Sequence, residues 1–165
     1  NASGARDPEM KQSKKGNQWY FGMKAHVAVD ARNKLIHRVV ATPGNVHDSK
    51  VLPELLHGKE TAVWGDAAYS GQSKLIEQHA PWAQDLTQHR GRAYKYLSQM
   101  QREINRRRSK VRARVEHVIG VIKRIFGFAK VRYRGLAKNG NRLFVTAALT
   151  NLFIVRRPLL DALRA

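Results

Sequence analysis

The stretch from Arg106 to Gly127, RRRSKVRARVEHVIGVIKRIFG, constrains this chain most, because its apolar residues recur at the spacing of one helix face. At about 100° per residue, Val111, Val115, Val118, Ile119, Ile122, Ile125 and Phe126 fall on an arc roughly 120° wide. The rest of the fold must cover that stripe. Beside it Arg112, Glu116, Gly120 and Lys123 stack at successive turns, so one carboxylate stands among cations at the margin of the buried face. A cleft would form at that margin. Taken alone, Arg112 and Glu116 also read as an ordinary i, i+4 surface ion pair, worth a few tenths of a kcal/mol.

Charge narrows the partners. The 165 residues include 31 Lys and Arg against 12 Asp and Glu, a formal charge of +19, which calls for a polyanion. The excess is concentrated: residues 90–134 hold 15 basic side chains and only two acids, Glu103 and Glu116. The basic helix has a β-branched stripe without tryptophan, unlike a helix lying in a lipid interface, so nucleic acid and not membrane is expected. There is no cysteine, which excludes disulfides and thiolate metal sites. No apolar run approaches the roughly 20 residues that span a bilayer, and no apolar signal segment opens the chain. A soluble cytoplasmic protein is expected, and residue 1, Asn, reads as the start of a fragment or a processed piece. With 42% hydrophobic residues the length suits one domain with a real core.

In chain order, residues 1–17 lack periodicity and read as a flexible basic leader in which Lys14 and Lys15 are available to phosphate. Residues 18–165 read as the domain. Trp19, Phe21, Met23, Ala25, Val27 and Val29 alternate with polar residues over Gln18 to Asp30, the pattern of a strand with one buried face. A turn at Asp30 to Lys34 leads to a second strand, Leu35 to Thr42, closing an antiparallel hairpin. Val46 to His57 reads as a short helix with Val51, Leu52, Leu55 and Leu56 inward, started by Asn45 or Asp48. Thr61 to Gly65 is a short apolar run that delivers Asp66 either to a strand end, where α/β folds place ligand sites, or to a cap before the helix near Ser73 to His79. A weak strand signal follows at Asp85 to Gln88. Helix is expected from Tyr94 into the Glu116 stretch, with a break near Ser109. Gly127 to Leu136 interleaves cations with Phe128 and Tyr133, and Asn139 to Val155 reads as a terminal helix with Leu143, Phe144, Ala147, Ala148, Asn151, Leu152 and Val155 near one face.

Asp66 and Glu116 therefore stand out as acids beside apolar surface within a cationic chain. Acids that hold hard divalent cations against phosphate are what phosphodiester cleavage requires, two metals lying about 3.5–4 Å apart. The histidines, among them His26, His37 and His47, show no zinc spacing.

The ordered motifs Arg6-Asp7-Pro8-Glu9-Met10, Lys14 to His26 (KKGNQWYFGMKAH), Gly65 to Gly71 (GDAAYSG) and Arg112 to His117 (RARVEH), followed by Lys123, resemble DDE transposases of bacterial insertion sequences. The nearest resemblance is to the insertion sequence five family, within the insertion-sequence-four-like superfamily. It implies an RNase H-like α/β fold, a mixed sheet flanked by helices, with three acids binding two Mg²⁺ or Mn²⁺ ions. Water then attacks the element's ends and the freed 3′ hydroxyl attacks target DNA. By the same resemblance Asp66 matches the second acid and Glu116 the third, both metal ligands. Arg112 and Lys123 match basic positions around the glutamate, and Ser109 stands where the wider signature has tyrosine. The expected DNA contacts are Lys14, Lys15, Lys24, His26, Arg112, Arg114, Lys123, Arg124, Arg132 and Arg134, in a homo-oligomer on DNA. The first acid belongs upstream of the Arg6 to Met10 segment, and neither Asp7, Asp30 nor Asp48 matches its place. The chain is thus expected to lack that acid and its central strand and to be inactive alone. The alternatives are a non-catalytic DNA-binding remnant and, less well matched to the motifs, a basic RNA-associated module.

Overall fold

The computed structural model describes residues 3, 5–91 and 96–164. The expected helical start at Tyr94 lies outside them. Two compact units form: Asn1–Val46 with His117–Ala165, and His47–Glu116.

In the first unit, β1 (Lys11–Lys15), β2 (Gln18–Val29) and β3 (Ile36–Pro43) make an antiparallel sheet in the order β1-β2-β3. The β2–β3 hairpin forms as the alternation indicates. Its turn is built by Asp30, whose Oδ1 accepts the N–H groups of Arg32 and Asn33, both at 2.8 Å, while Lys34 takes the left-handed conformation at φ 64°. Helix α4 (Leu136–Ala162) lies on β3 and is fastened to it by Asn151, whose Oδ1 accepts the Ile36 N–H and whose Nδ2 donates to the Ile36 carbonyl, each at 2.8 Å. Ile36, Val118, Ile122, Phe128, Leu143 and Ala147 form the core, with Met23, Val27, Val29, Val39, Ala41 and Ile154 against it. Leu143 is completely buried, a contribution of about 1.5–3 kcal/mol relative to exposure.

Lys11–Lys15, expected as flexible leader, is a strand, because its backbone pairs in register with Gln18–Gly22. The apolar face of β2 is buried only in its second half. Trp19 and Phe21 lie where β2 pairs with β1, away from the core residues, and are exposed; Ala25 is exposed too, while His26 is buried. Along the 117–126 stretch Val118, Val121 and Ile122 are buried, whereas Ile125 is exposed. Helix α3 (Gln99–Arg124) ends before it, with Gly127 at φ 62° and the Phe128 N–H donating back to the Ile122 carbonyl. α3 runs unbroken through Ser109.

Helix α4 buries Asn139, Gly140, Leu143, Thr146, Ala147 and Thr150, leaving Phe144 and Leu152 exposed. The expected face was shifted because small and polar residues give closer approach to the sheet than Phe or Leu: an added Cβ at Gly140 would stand 3.5 Å from Ala41 Cβ. Contrary to the expectation of no such stretch, α4 is long and apolar enough to cross a membrane by length and composition. One face of it seats against β3, with Thr146 and Thr150 hydroxyls each donating to the carbonyl four residues back, and 22% of its apolar window is buried.

The second unit starts with a 3₁₀ turn at Asp48–Val51 and α1 (Leu52–Leu55), shorter than the expected helix and capped by His47, whose Nδ1 accepts the Ser49 N–H. Val51, Leu52, Leu55 and Ile76 are buried. β4 (Ala62–Val63) pairs in parallel with β5 (Gln84–Asp85), and α2 (Ser73–His79) joins them.

Candidate functional site

The second unit places Asp66 through backbone pairing. The parallel ladder continues past the short strands: the N–H groups of Gln84, Leu86 and Gln88 donate to the carbonyls of Thr61, Val63 and Gly65 at 2.9, 2.9 and 3.0 Å. Asp66 is the next residue, where the ladder ends. Its Oδ1 accepts the Ala68 N–H at 2.9 Å and so caps the 3₁₀ turn Ala67–Tyr69. The strand-end and cap readings of Asp66 are both realised at once. A carboxylate offers about four acceptor positions, so one N–H leaves capacity for a cation or a proton donor.

The strand end is also where α3 is fastened. Gln88 Nε2 donates to Ser109 Oγ at 2.6 Å, and Asn105 clamps His89 by accepting its N–H at 2.8 Å and donating to its carbonyl at 2.9 Å. Arg108 donates to the Thr87 carbonyl. Asn105, Ser109, Arg112 and Glu116 follow one another at i+4, i+3 and i+4, a single stripe of α3. Glu116 lies about 10 Å beyond Ser109 along that axis. Its Oε1 accepts from Arg112 Nη2 at 2.5 Å, with Glu116 56% and Arg112 33% exposed. The ion pair is thus present, and the acid stands clear of the core. Arg112 Nε is buried with no hydrogen-bond partner among the described residues.

Behind Asp66, Tyr69 packs its ring under Gly65. Burial first, then the carboxylates of Asp48 and Asp66, push the Tyr69 phenol well above its ordinary range. Asp85 behaves differently: burial pushes its carboxyl up, but the Ser73 hydroxyl at 2.6 Å, the Thr87 N–H at 2.9 Å and the Arg108 charge hold it below the ordinary carboxylate range.

Gly65 has no room for a side chain. An added Cβ would stand 2.9 Å from Tyr69 Cδ2 and 3.1 Å from its Cβ and Cγ. Gly65→Ala is expected to destabilise by about 1–3 kcal/mol through overpacking next to Asp66. In a Tyr69→Ala background the penalty should fall by about half or more without vanishing, since the ring contacts at Cδ2 and Cγ are gone while Cβ at 3.1 Å remains. Denaturant midpoints of the four members of that cycle check it; an undiminished penalty in the double variant would point to backbone and not ring contact.

The remaining sequence-designated cations divide by unit. Arg114 is half-buried on α3 in the second unit with Arg112, whereas Lys14, Lys15, Lys24, His26, Lys123, Arg124, Arg132 and Arg134 belong to the first. Lys14, Lys15, Lys123, Arg124, Arg132 and Arg134 are exposed. Lys24 Nζ donates to the Val46 carbonyl at 2.8 Å. His26, expected to meet phosphate, is 5% exposed and hydrogen-bonded through Nε2 to Thr42 Oγ1 at 2.8 Å. Its burial on β2, beside Thr42 of β3, takes it off the surface.

Sequence reasoning missed Gln88, Asn105 and Tyr69; the stripe spacing from Asn105 to Glu116 was the available signal. It also left Asp7 and Glu9 in a leader. Asp7 Oδ2 accepts the Gly135 N–H at 2.6 Å and Glu9 accepts that of Leu136, so the Arg6 to Met10 segment caps α4. The Gly135 N–H chiefly, with those of Glu9 and the Arg134 charge, holds the Asp7 carboxyl below its ordinary range.

Among the described residues no group of three His, Cys, Asp or Glu side chains is assembled to hold a metal ion. Asp66 and Glu116 are at most two ligands of such a site. No solved structure matches the chain. The family described as transposase DDE domain matches residues 3–152, nearly the whole length. An acid at the end of a parallel ladder, a helix clamped to that end and a strongly basic surface accompany the match, and the chain belongs to the transposase DDE domain family.

Proposed function

We propose that the chain acts in DNA transposition as part of an insertion-sequence transposase of the insertion sequence five type, bacterial in origin, with Asp66 and Glu116 as the second and third acids. The observation that carries this reading is the ladder from Thr61 to Gly65, which ends on Asp66 while Gln88 and His89 of the partner strand hold α3, the helix of Glu116. Arg112 adds support. Its side chain is 33% exposed beside Glu116, which leaves outer guanidinium N–H groups within reach of a phosphate oxygen.

Hard oxygen donors such as Asp66 and Glu116 suit Mg²⁺ or Mn²⁺. The two alone do not complete a metal cage, and on this reading a third carboxylate joins them. The RNase H-like sheet that the family implies mixes antiparallel and parallel strands; both kinds are present, as separate sheets. A homo-oligomer on DNA, in the compartment that holds the chromosome, completes the proposal.

The test is cleavage of labelled duplex DNA with Mn²⁺ by this chain, Asp66→Asn and Glu116→Gln. The expected result is duplex binding by all three and no cutting above the level of the variants. Mn²⁺-dependent cutting that disappears in both variants would establish the two acids as catalytic and overturn the need for a third from elsewhere. If duplex DNA is not bound at all, the proposal fails.

A further inference from the structure

The β1–β2 ribbon carries three consecutive aromatics in solvent: Trp19 is 65%, Tyr20 50% and Phe21 43% exposed. Alternation puts Trp19 and Phe21 on one face and Tyr20 on the other. On the face of Trp19 and Phe21 the paired strand contributes Lys14 opposite Trp19 and Gln12 opposite Phe21. Lys14 Nζ lies 5.6 Å from the Trp19 ring centroid and Arg6 Cζ 5.5 Å from that of Phe21. An open groove of about 530 Å³ is lined there by Arg6, Lys11, Gln12, Trp19, Phe21 and Asn45 among others. Asp7 is the acid at this groove, and its two oxygens accept the N–H groups of Gly135 and Glu9.

Two residues apart on one face of a strand, the Trp19 and Phe21 backbones are about 6.6–6.8 Å apart. That is twice the roughly 3.4 Å rise of a nucleotide strand, the separation that admits one base between two rings. Cations flank both rings, which suits a phosphate backbone passing alongside. A paired duplex keeps its bases stacked inside and cannot use such a slot. We propose that the Trp19–Phe21 face of the ribbon binds unpaired DNA nucleotides, a base entering between the two rings and its phosphates meeting Arg6 and Lys14. This rests on DNA being the polyanionic partner and adds a second class of contact, in the first unit, to the duplex binding proposed above.

The experiment compares labelled oligothymidylate of about ten nucleotides with a duplex of equal length, at one salt concentration, on the full chain. Trp19→Leu and Phe21→Leu should each weaken oligothymidylate binding by about five-fold or more and duplex binding by less than about two-fold. Trp82→Leu, at a tryptophan 84% exposed in the second unit, should change neither. Oligothymidylate should quench tryptophan emission in the unaltered chain and in Trp82→Leu, and lose most of that quenching in Trp19→Leu. The unaltered chain thus reports on the slot without any mutation. Equal losses on both DNAs, or unchanged oligothymidylate affinity in both variants, would overturn the slot while leaving duplex binding and the proposed function standing. If neither DNA is bound, both readings fall together.

Discussion

Asn139→Ala is expected to destabilise the protein by about 2–4 kcal/mol, among the largest effects of any single substitution in the first unit. Asn139 is fully buried, and its amide is used on both sides. Oδ1 accepts the N–H groups of Arg132 and Tyr133 at 3.1 and 3.2 Å, while Nδ2 donates to the carbonyls of Tyr133 and Gly135 at 2.6 and 2.8 Å. Removing the amide leaves two N–H and two carbonyl groups without their partner, at about 1–3 kcal/mol for each that stays buried. The flanking side chains of Arg132 and Tyr133 are exposed, so water can reach part of this set, which is why the expected total is well below four full penalties. Urea unfolding checks it, the midpoint falling with little change in slope. A loss below about 0.5 kcal/mol would mean that the 130–135 segment holds its shape without Asn139.

The second large effect is on binding. With a formal charge of +19, duplex association should be dominated by counterion release. Raising salt from about 50 to 200 mM should weaken it by roughly a thousand-fold or more if six or more phosphates are contacted. Arg132→Ala, at an exposed position of the segment Asn139 organises, should lower the slope of log affinity against log salt by about one and weaken binding equally across DNA sequences. A shallow slope would make direct base contacts dominant. The two predictions are linked: if Asn139 positions the basic loop, Asn139→Ala should also reduce the salt slope under conditions where the protein remains folded.

Locally encoded features were legible in the chain. The β2–β3 hairpin, α2 and the helical character of α3 and α4 follow from periodicities of 2 and 3.6 residues and from Asp30 as a turn signal. The charge required a polyanion whatever the fold, and the acids Asp66 and Glu116 could be picked out by their place within ordered motifs. What the chain did not display was which faces would be covered. Trp19 and Phe21 carry the same alternation as Val27 and Val29, yet only the latter pair meets the core. The difference is made by α4, which seats on β3 through Asn151, 115 positions away from Ile36 in the chain.

The same holds for the site. Periodicity placed Glu116 on a stripe with Arg112, but only tertiary contact revealed that Asn105 and Ser109 of that stripe hold the strand end beside Asp66. It also showed that Asp7 and Glu9 cap α4, although nothing local links them to Gly135 and Leu136. Backbone periodicity and net charge are sums over neighbours in sequence, so the amino-acid order alone determined the elements and the kind of partner. Burial and hydrogen-bond partners depend on which distant surface packs against a residue and excludes water, and the tertiary structure alone decided those.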